Sequence, residues 1–235
     1  MKRTLFLICF IVAYSSFSQT EPKVAKEVNT EPSIITFNLL SSFSPYNPRY
    51  RLGYIKGFSE RWRAGLDIGY GSEEINFFSI GENVGEDYQL FEIRPEVYFI
   101  LNPANKVKQH ISLELFYIDQ KETLIDNNYI LENDNRVEFD RADFHRKKIG
   151  THLKYGAFLP IIRKFGVNAY AGLGIKYRDN TFSNIVNPRS GGEFLDEFSF
   201  FERYREEDGS LFSMNFSFGF KLYSFTNAGN RPCCS

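Results

Sequence analysis

The sequence predicts an all-β fold, an eight-stranded antiparallel up-and-down transmembrane β-barrel. Three observations support it. Runs of about 9–15 residues alternate between apolar and polar side chains, with no helical periodicity between them. The ends of the apolar faces carry aromatic residues, with smaller aliphatic residues between them. Short connections alternate along the chain with long polar ones, which is typical of barrels in outer membranes.

Composition limits the classes of protein to consider. The chain has 235 residues, with 28 basic and 29 acidic side chains, so a single sizeable domain is expected and nucleic acid is not an expected partner. A mean hydropathy of -0.33 resembles that of a soluble protein. A membrane barrel can share this value, because outward and inward residues alternate and cancel in the average.

The N-terminus predicts export. Lys2 and Arg3 precede an apolar run from Leu5 to Tyr14, which is too short to span a bilayer and is followed by small residues. We therefore expect a signal peptide at residues 1–18, and a flexible lead-in at residues 19–32. The barrel would occupy residues 33–225 and a periplasmic tail residues 226–235. Cys233 and Cys234 in this tail have no assigned role, and a barrel of this kind needs no disulfides.

Eight strands follow from the alternation. The third contains WRAGLDIGYG, Trp62–Gly71, where every second residue is large and apolar and the others are Arg, Asp or Gly. The fourth, Gln89–Leu101, contains Pro95 in its middle, where we expect a local bulge, since proline cannot donate to a strand ladder. The remaining strands are predicted at Ser33–Ser42, Tyr50–Phe58, His110–Tyr117, Lys148–Ala157, Val167–Tyr177 and Phe212–Leu222.

The apolar face of these strands allows three interpretations: the core of a soluble sandwich, the cavity of a soluble lipocalin-like carrier, or a surface in contact with lipid. Aromatic residues at both ends of the apolar face favour lipid, because girdles of aromatic side chains lie at the two membrane interfaces. The predicted girdle consists of Trp62, Tyr70, Phe91 and Phe99.

The opposite face predicts a charged lumen. Acidic residues fall on the third to fifth strands and most basic residues on the sixth to eighth, so the two groups face each other across a closed ring. Because unpaired charges would be costly there, we expect a paired polar network that plugs the barrel. Its predicted members are Arg63, Asp67, Glu92, Arg94, Glu96, Glu114, Lys148, His152, Lys154, Lys176 and Lys221.

No residue pattern indicates catalysis, a cofactor or a metal. His152 would point into the lumen, where Ser213 or Ser217 could face it, yet nothing local marks either serine as activated. We therefore expect a protein that is not an enzyme. The acidic segment before the last strand has no calcium-binding spacing. Its Phe194, Phe198 and Phe201 fit either a short amphipathic helix or extensions of the neighbouring strands.

Several of these segments resemble a known family. The signal peptide, the NLL of the first strand, WRAGLDIGYG, FEIRPEVYF and NFSFGFKLY together resemble flavobacterial (Bacteroidota) outer-membrane β-barrel proteins, small barrels distantly related to the transmembrane domain of OmpA. The resemblance covers about residues 33–225. It implies a location in the cell outer membrane, and it carries no established active-site residues. The tail after the last strand departs from the usual barrel ending, in which phenylalanine is the final residue.

The sequence thus predicts a small barrel with a structural or surface-recognition role. Its expected partners are outer-membrane lipid and an extracellular or outer-membrane protein bound through loops 119–143 and 179–209, because exposed loops on a rigid scaffold commonly carry recognition. Two alternatives remain open: a lipid-modifying enzyme of the outer membrane, and a soluble periplasmic carrier of hydrophobic ligands.

Overall fold

Nine β-strands dominate the computed structural model, which describes residues 32–44, 47–75, 85–131, 135–193 and 206–226. The described residues all belong to one unit, Glu31–Ser235. The strands are β1 (Ile34–Asn38), β2 (Tyr50–Gly57), β3 (Trp62–Ser72), β4 (Glu86–Ile100), β5 (Lys108–Ile130), β6 (Asn135–Pro160), β7 (Phe165–Val186), β8 (Arg189–Glu193) and β9 (Gly209–Phe225). Short 3-10 helices follow β1 and β3 at Leu40–Phe43 and Glu73–Ile75.

Several predicted features lie outside the described residues. They are the signal peptide at residues 1–18, nearly all of the lead-in, the segment with Phe194, Phe198 and Phe201, and residues 227–235 with both C-terminal cysteines. Within the described ranges, no helix is long and apolar enough to cross a membrane.

Eight of the strands form a closed hydrogen-bonded ring. Neighbours along the chain pair from β1 to β7, β7 pairs with β9, and β9 closes the ring by pairing with β1. All these pairings are antiparallel. The all-β antiparallel prediction is confirmed, and the eight predicted strands correspond to the eight strands of the ring. The added strand, β8, pairs with the start of β6 and lies outside the ring.

The ring is not evenly arranged round one axis, and the strand lengths explain why. β1 has five residues, whereas β5, β6 and β7 have 23, 26 and 22. β9 consequently pairs with β7 along almost its whole length but with β1 only from Leu222 to Phe225. We call the place where β9 meets β1 the seam.

The first strand is shorter than predicted, because Asn38 starts a turn. The side-chain oxygen of Asn38 accepts a hydrogen bond from the backbone N–H of Ser41 at 3.2 Å, and the Ser41 hydroxyl donates to the Asn38 carbonyl at 2.8 Å. Such local bonds compete with a strand ladder. The chain therefore leaves the sheet at Asn38, although the alternating pattern continues to Ser42.

Where the structure describes them, both long segments predicted as loops are largely strands, so for those residues the prediction was wrong. In the segment 119–143, β5 continues to Ile130 and β6 begins at Asn135, with only residues 131–134 between them. In the segment 179–209, β7 continues to Val186, and β8 follows. Polar side chains misled the prediction, because the backbone pairing of an antiparallel ladder does not require a regular alternation of apolar side chains.

The predicted bulge at Pro95 is also absent. Pro95 is in register with Leu66 of β3, and the β4–β5 register is the same on both sides of it, at Ile93↔Tyr117 and Glu96↔Glu114. Between Gln89 and Ile100, the β4–β5 ladder omits only Arg94 and Pro95; its one register shift lies farther away, between Glu86 and Gln89. The proline therefore removes one interstrand hydrogen-bond donor, and the register on both sides of it is unchanged.

Candidate functional site

The interior of the ring contains ionised side chains between two apolar clusters. At the end with the short turns, a cluster of Ile34, Ile55, Tyr98, Ile100, Phe158 and Tyr223 fills the interior. Nearer the other end, a second cluster consists of Tyr88, Leu90, Phe116 and Ile118. We call the charged residues between the clusters the ionic layer. The two apolar clusters cover the ionic layer at its two ends, and burial strengthens the attraction between its charges.

Glu92 is the most heavily shared carboxylate of the ionic layer and is fully buried. The Nε–H groups of Arg49 and Arg51 donate to its carboxylate at 2.6 and 2.9 Å, and Arg94 donates to its other oxygen. Three guanidinium groups therefore converge on a single negative charge. Charge-assisted bonds of this kind are roughly twice as strong as neutral ones.

Arg94 connects this cluster to Glu114, whose carboxylate it contacts at 2.8 Å. Lys154 bridges Glu114 and Glu96, lying 3.1 Å from the Glu96 carboxylate. The Glu96 carboxylate also accepts hydrogen bonds from Ser112 and Tyr98, each at 2.7 Å. The chain of contacts thus crosses the interior from β4 and β5 to β6.

Lys221 of β9 completes the layer by contacting Asp67 at 2.6 Å and Glu96 at 3.2 Å. Asp67 also accepts a 3.5 Å hydrogen bond from the Thr36 hydroxyl. The ionic layer therefore runs from Glu92 to Asp67 without interruption. It brings together eight of the eleven residues predicted from the sequence: Asp67, Glu92, Arg94, Glu96, Glu114, His152, Lys154 and Lys221.

The other three predicted members lie elsewhere in the interior. Arg63 is at the short-turn end, with its guanidinium 5.3 Å from the centre of the Phe158 ring. Lys148 and Lys176 lie on β6 and β7 on the other side of His152, and Lys148 is in register with Arg178. The alternating pattern predicted correctly that these three side chains face the interior. It did not predict how far along the strands they lie from the ionic layer.

His152 is held between two polar partners. Its Nδ1 lies 2.9 Å from the Glu114 carboxylate, and its Nε2 lies 2.7 Å from the side-chain amide nitrogen of Asn215. Its ring stacks on Phe116 at 4.8 Å. An amide therefore occupies the position where a Ser–His–Asp type mechanism requires a hydroxyl nucleophile. This geometry fits a structural hydrogen-bond network.

The predicted network left out several participants, among them Arg49, Tyr170 and Asn215. Arg49 precedes β2 in a connection, so no strand alternation marks it, yet it folds back onto Glu92. Tyr170 lies on the inward face, and its ring is 4.6 Å from the Lys154 ammonium. Asn215 contacts His152 across the ring. The inward positions of Tyr170 and Asn215 were a usable signal, but neither is charged and both were left out of the predicted network.

The four predicted girdle residues form two cross-strand pairs on the outer face. Trp62 is opposite Phe99, with ring centres 5.0 Å apart, and Tyr70 is opposite Phe91. Eight residues separate Trp62 from Tyr70 along β3, about 27 Å at the usual rise per residue. The two pairs thus mark opposite ends of the apolar face of the β3–β4 hairpin.

A sharp change in polarity crosses the outer face of four neighbouring strands. Tyr117, Ile149, Tyr177 and Phe212 lie in one row. The next outward row, two residues farther from the short turns, is Asp119, Lys147, Asp179 and Ser210. The Tyr177 hydroxyl donates to Ser210 and the Tyr117 hydroxyl to Asp119, so both tyrosines point their polar ends towards the second row. We call the second row the polar row.

Beyond the polar row, β5, β6 and β7 continue as a packed extension. Phe182 contacts the rings of Tyr129 and Phe144 at 4.9 and 5.0 Å. Arg178 and Asn180 both donate to the carbonyl of Glu207, at 2.7 and 2.9 Å. The same segment is held by the Asp208 N–H, which donates to the Ile130 carbonyl at 2.9 Å. Burial raises the pKa of the Asp208 carboxyl.

No group of three or more His, Cys, Asp or Glu side chains with the geometry of a metal site occurs among the described residues. In comparisons with known proteins, no family model matches the chain, and no curated protein or solved structure resembles it significantly.

Proposed function

We propose that this protein is an outer-membrane β-barrel whose charge-paired interior closes the pore, and that it acts as a structural or surface-binding protein through the extension of β5, β6 and β7. The observation that carries the proposal is the change from the apolar row to the polar row across four strands. A lipid–water interface requires such a boundary on the outer face, with tyrosine hydroxyls on its polar side.

The length of the apolar band on each strand supports this proposal. On β9, the alternate residues from Phe212 to Leu222 are all apolar and face outward over 11 residues. On β7 the same is true from Val167 to Tyr177. A tilted strand needs about 9–11 residues to cross the hydrocarbon core. Phe216 and Phe218 are 70% and 80% exposed, which would be unfavourable in water.

The interior argues against a soluble carrier of hydrophobic ligands. Such a carrier needs an apolar cavity inside the ring. Here the centre of the ring holds paired charges, and the apolar residues inside are packed into the two clusters. The large apolar surface faces outward, so lipid is the partner that would cover it.

The first test is electrophoresis of protein from isolated outer membranes, with and without boiling in SDS. A closed membrane barrel stays folded in unheated SDS, so we expect a heat-dependent shift in migration. Recovery in the soluble periplasmic fraction without such a shift would rule out the membrane barrel.

The second test concerns the closed pore. Reconstituted protein in a planar bilayer should show no large stable conductance, because Tyr98, Phe158 and the ionic layer fill the interior. A steady channel in recordings from heat-shift-positive protein would refute the plug and leave the membrane location intact.

A further inference from the structure

The seam leaves one edge of β9 without a ladder partner. Within the described ranges, β9 pairs with β1 only from Leu222 to Phe225, although the strand starts at Gly209. The cause is the early end of β1 at Asn38, after which the chain turns into the 3-10 helix Leu40–Phe43. Among the residues that the structure describes, the hydrogen-bonded wall of the ring is therefore interrupted beside the ionic layer.

A cavity of about 260 Å³ occupies this interruption. It contacts the inward residues Asn215 and Ser217 of β9 and also the outward residues Phe216 and Phe218. Successive side chains of a strand point to opposite faces. A cavity that contacts both faces must pass round the edge of the strand, so it connects the interior to the outer apolar surface.

The charged side chains that line the cavity are all basic. They are Arg49, Arg51 and Arg94, joined by His152, and none of the lining residues is an aspartate or a glutamate. The carboxylate that these arginines share, Glu92, is fully buried and does not line the cavity. Arg94 is shared with Glu114, so the excess of positive charge is counted over the whole ionic layer: five cations, Arg49, Arg51, Arg94, Lys154 and Lys221, face four carboxylates, Asp67, Glu92, Glu96 and Glu114. The remaining positive charge is next to the cavity and favours an anion.

The exposed residues that line the cavity are all apolar, and we call them its mouth. They are Leu40, Phe216 and Phe218, which are 42%, 70% and 80% exposed. A cationic interior behind an apolar opening is complementary to an amphiphile with an anionic head. The volume is below the roughly 300–1,000 Å³ of sites for drug-sized molecules, so it suits a headgroup and not a whole lipid.

We propose that the seam cavity binds the phosphate-bearing headgroup of a membrane lipid, which enters sideways between β1 and β9. The phosphate contacts Arg49 and Arg51, and the acyl chains lie on Phe216 and Phe218 outside the ring. This inference rests on the proposed membrane location. A soluble anion would also suit the arginines, but it would gain nothing from the apolar mouth.

The experiment is native mass spectrometry of the full chain in detergent, titrated with dioleoyl phosphatidic acid or dioleoylglycerol. These two lipids share their acyl chains and differ in the phosphate. We expect phosphatidic acid to be retained at least tenfold more tightly. A third titration, with inorganic phosphate, distinguishes a lipid headgroup from a free phosphate ion as the bound anion.

Two variants and one control locate the site. Arg49→Gln removes a cation from the cavity, and we expect about tenfold weaker binding of phosphatidic acid. Ser217→Leu keeps every charge and fills the cavity, so it should weaken binding to a similar extent. Arg61→Gln removes an exposed cation at the short-turn end and should leave binding unchanged. A heat-shift assay of each variant verifies that the barrel is folded.

Equal retention of the two lipids by folded protein would overturn the headgroup site without affecting the membrane barrel. Equal effects of Arg49→Gln and Arg61→Gln would do the same, since binding would then follow net charge. Inorganic phosphate binding as tightly as phosphatidic acid would replace the lipid with a free anion. A missing heat shift in the unmodified protein would refute the barrel itself, and the lipid site with it.

Discussion

At the residue scale, Glu92 shows how a buried charge is tolerated in the interior. Its carboxylate is fully buried and receives three guanidinium groups, from Arg49, Arg51 and Arg94. Removing any ion from water costs several kcal/mol, and only well-placed partners offset that cost. Neutralising the shared carboxylate therefore leaves several buried cations facing one another.

We expect Glu92→Gln to lower the free energy of unfolding by about 3–5 kcal/mol. Urea unfolding in detergent or vesicles, followed by the fluorescence of Trp62, the only tryptophan of the chain, measures it. The matched control is Asp140→Asn, which breaks an exposed ion pair with Arg189 and should cost less than about 1 kcal/mol. Equal losses in the two variants would show that the ionic layer does not stabilise the interior.

At the element scale, each strand of the ring combines two surfaces of opposite character. β7 shows this well: Leu173 and Ile175 face outward in the apolar band, and Lys176 and Arg178 face inward. Farther along the same outer face, Asp179 in the polar row and Thr181 beyond it are polar. The outer face of a single strand thus changes from apolar to polar along its length. The edge of the proposed membrane explains the position of this change.

Leu173→Arg and Thr181→Arg place the same charge on the same face of β7, eight residues apart. In a membrane barrel the first should destabilise by about 2–4 kcal/mol and the second by about 0–1. Unfolding from lipid vesicles measures the difference. A soluble fold would tolerate arginine equally at both exposed positions, so equal stabilities would refute the lipid-facing band.

Pro95 offers a second test on a single strand. Pro95→Val should restore the missing donor towards β5 and raise the free energy of unfolding by about 0.5–1.5 kcal/mol. Val97→Pro, two residues along the same strand, should instead remove a donor and destabilise the protein. Hydrogen exchange of the β4–β5 amides would show whether the ladder gains a bond at residue 95. An unchanged ladder would mean that the missing pairs have another cause.

At the scale of the whole molecule, the ring has two levels. An apolar band encloses the ionic layer, and beyond the polar row the longer strands β5, β6 and β7 rise as an extension held by rings such as Tyr129 and Phe182. Ten residues separate Asp119 from Tyr129 on β5, about 34 Å along the strand. Under the proposed function, this extension stands in water and presents the binding surface.

Quenching by brominated lipids tests both levels. Trp62 is 52% exposed on the outer face, so lipids brominated near the headgroup should quench its fluorescence strongly. The variant Trp62→Phe with Tyr129→Trp moves the only tryptophan to the extension, where the same lipids should have little effect. Strong quenching at position 129 would place the extension against the membrane, and absence of quenching at Trp62 would contradict the girdle.

The sequence by itself determined which residues face inward and which outward, because a strand alternates with a period of two and the pattern survives without knowledge of neighbours. It also predicted the eight strands of the ring and an interior that contains paired charges. Only the tertiary structure decided the ion pairs, since Lys221 and Asp67 are 154 residues apart and meet only when the ring closes in a particular register. The same holds for Arg49, which lies on no strand, and for the seam, where local bonds of Asn38 outweighed the alternating pattern. Alternation is a local property of the chain, whereas register, strand length and closure depend on distant partners.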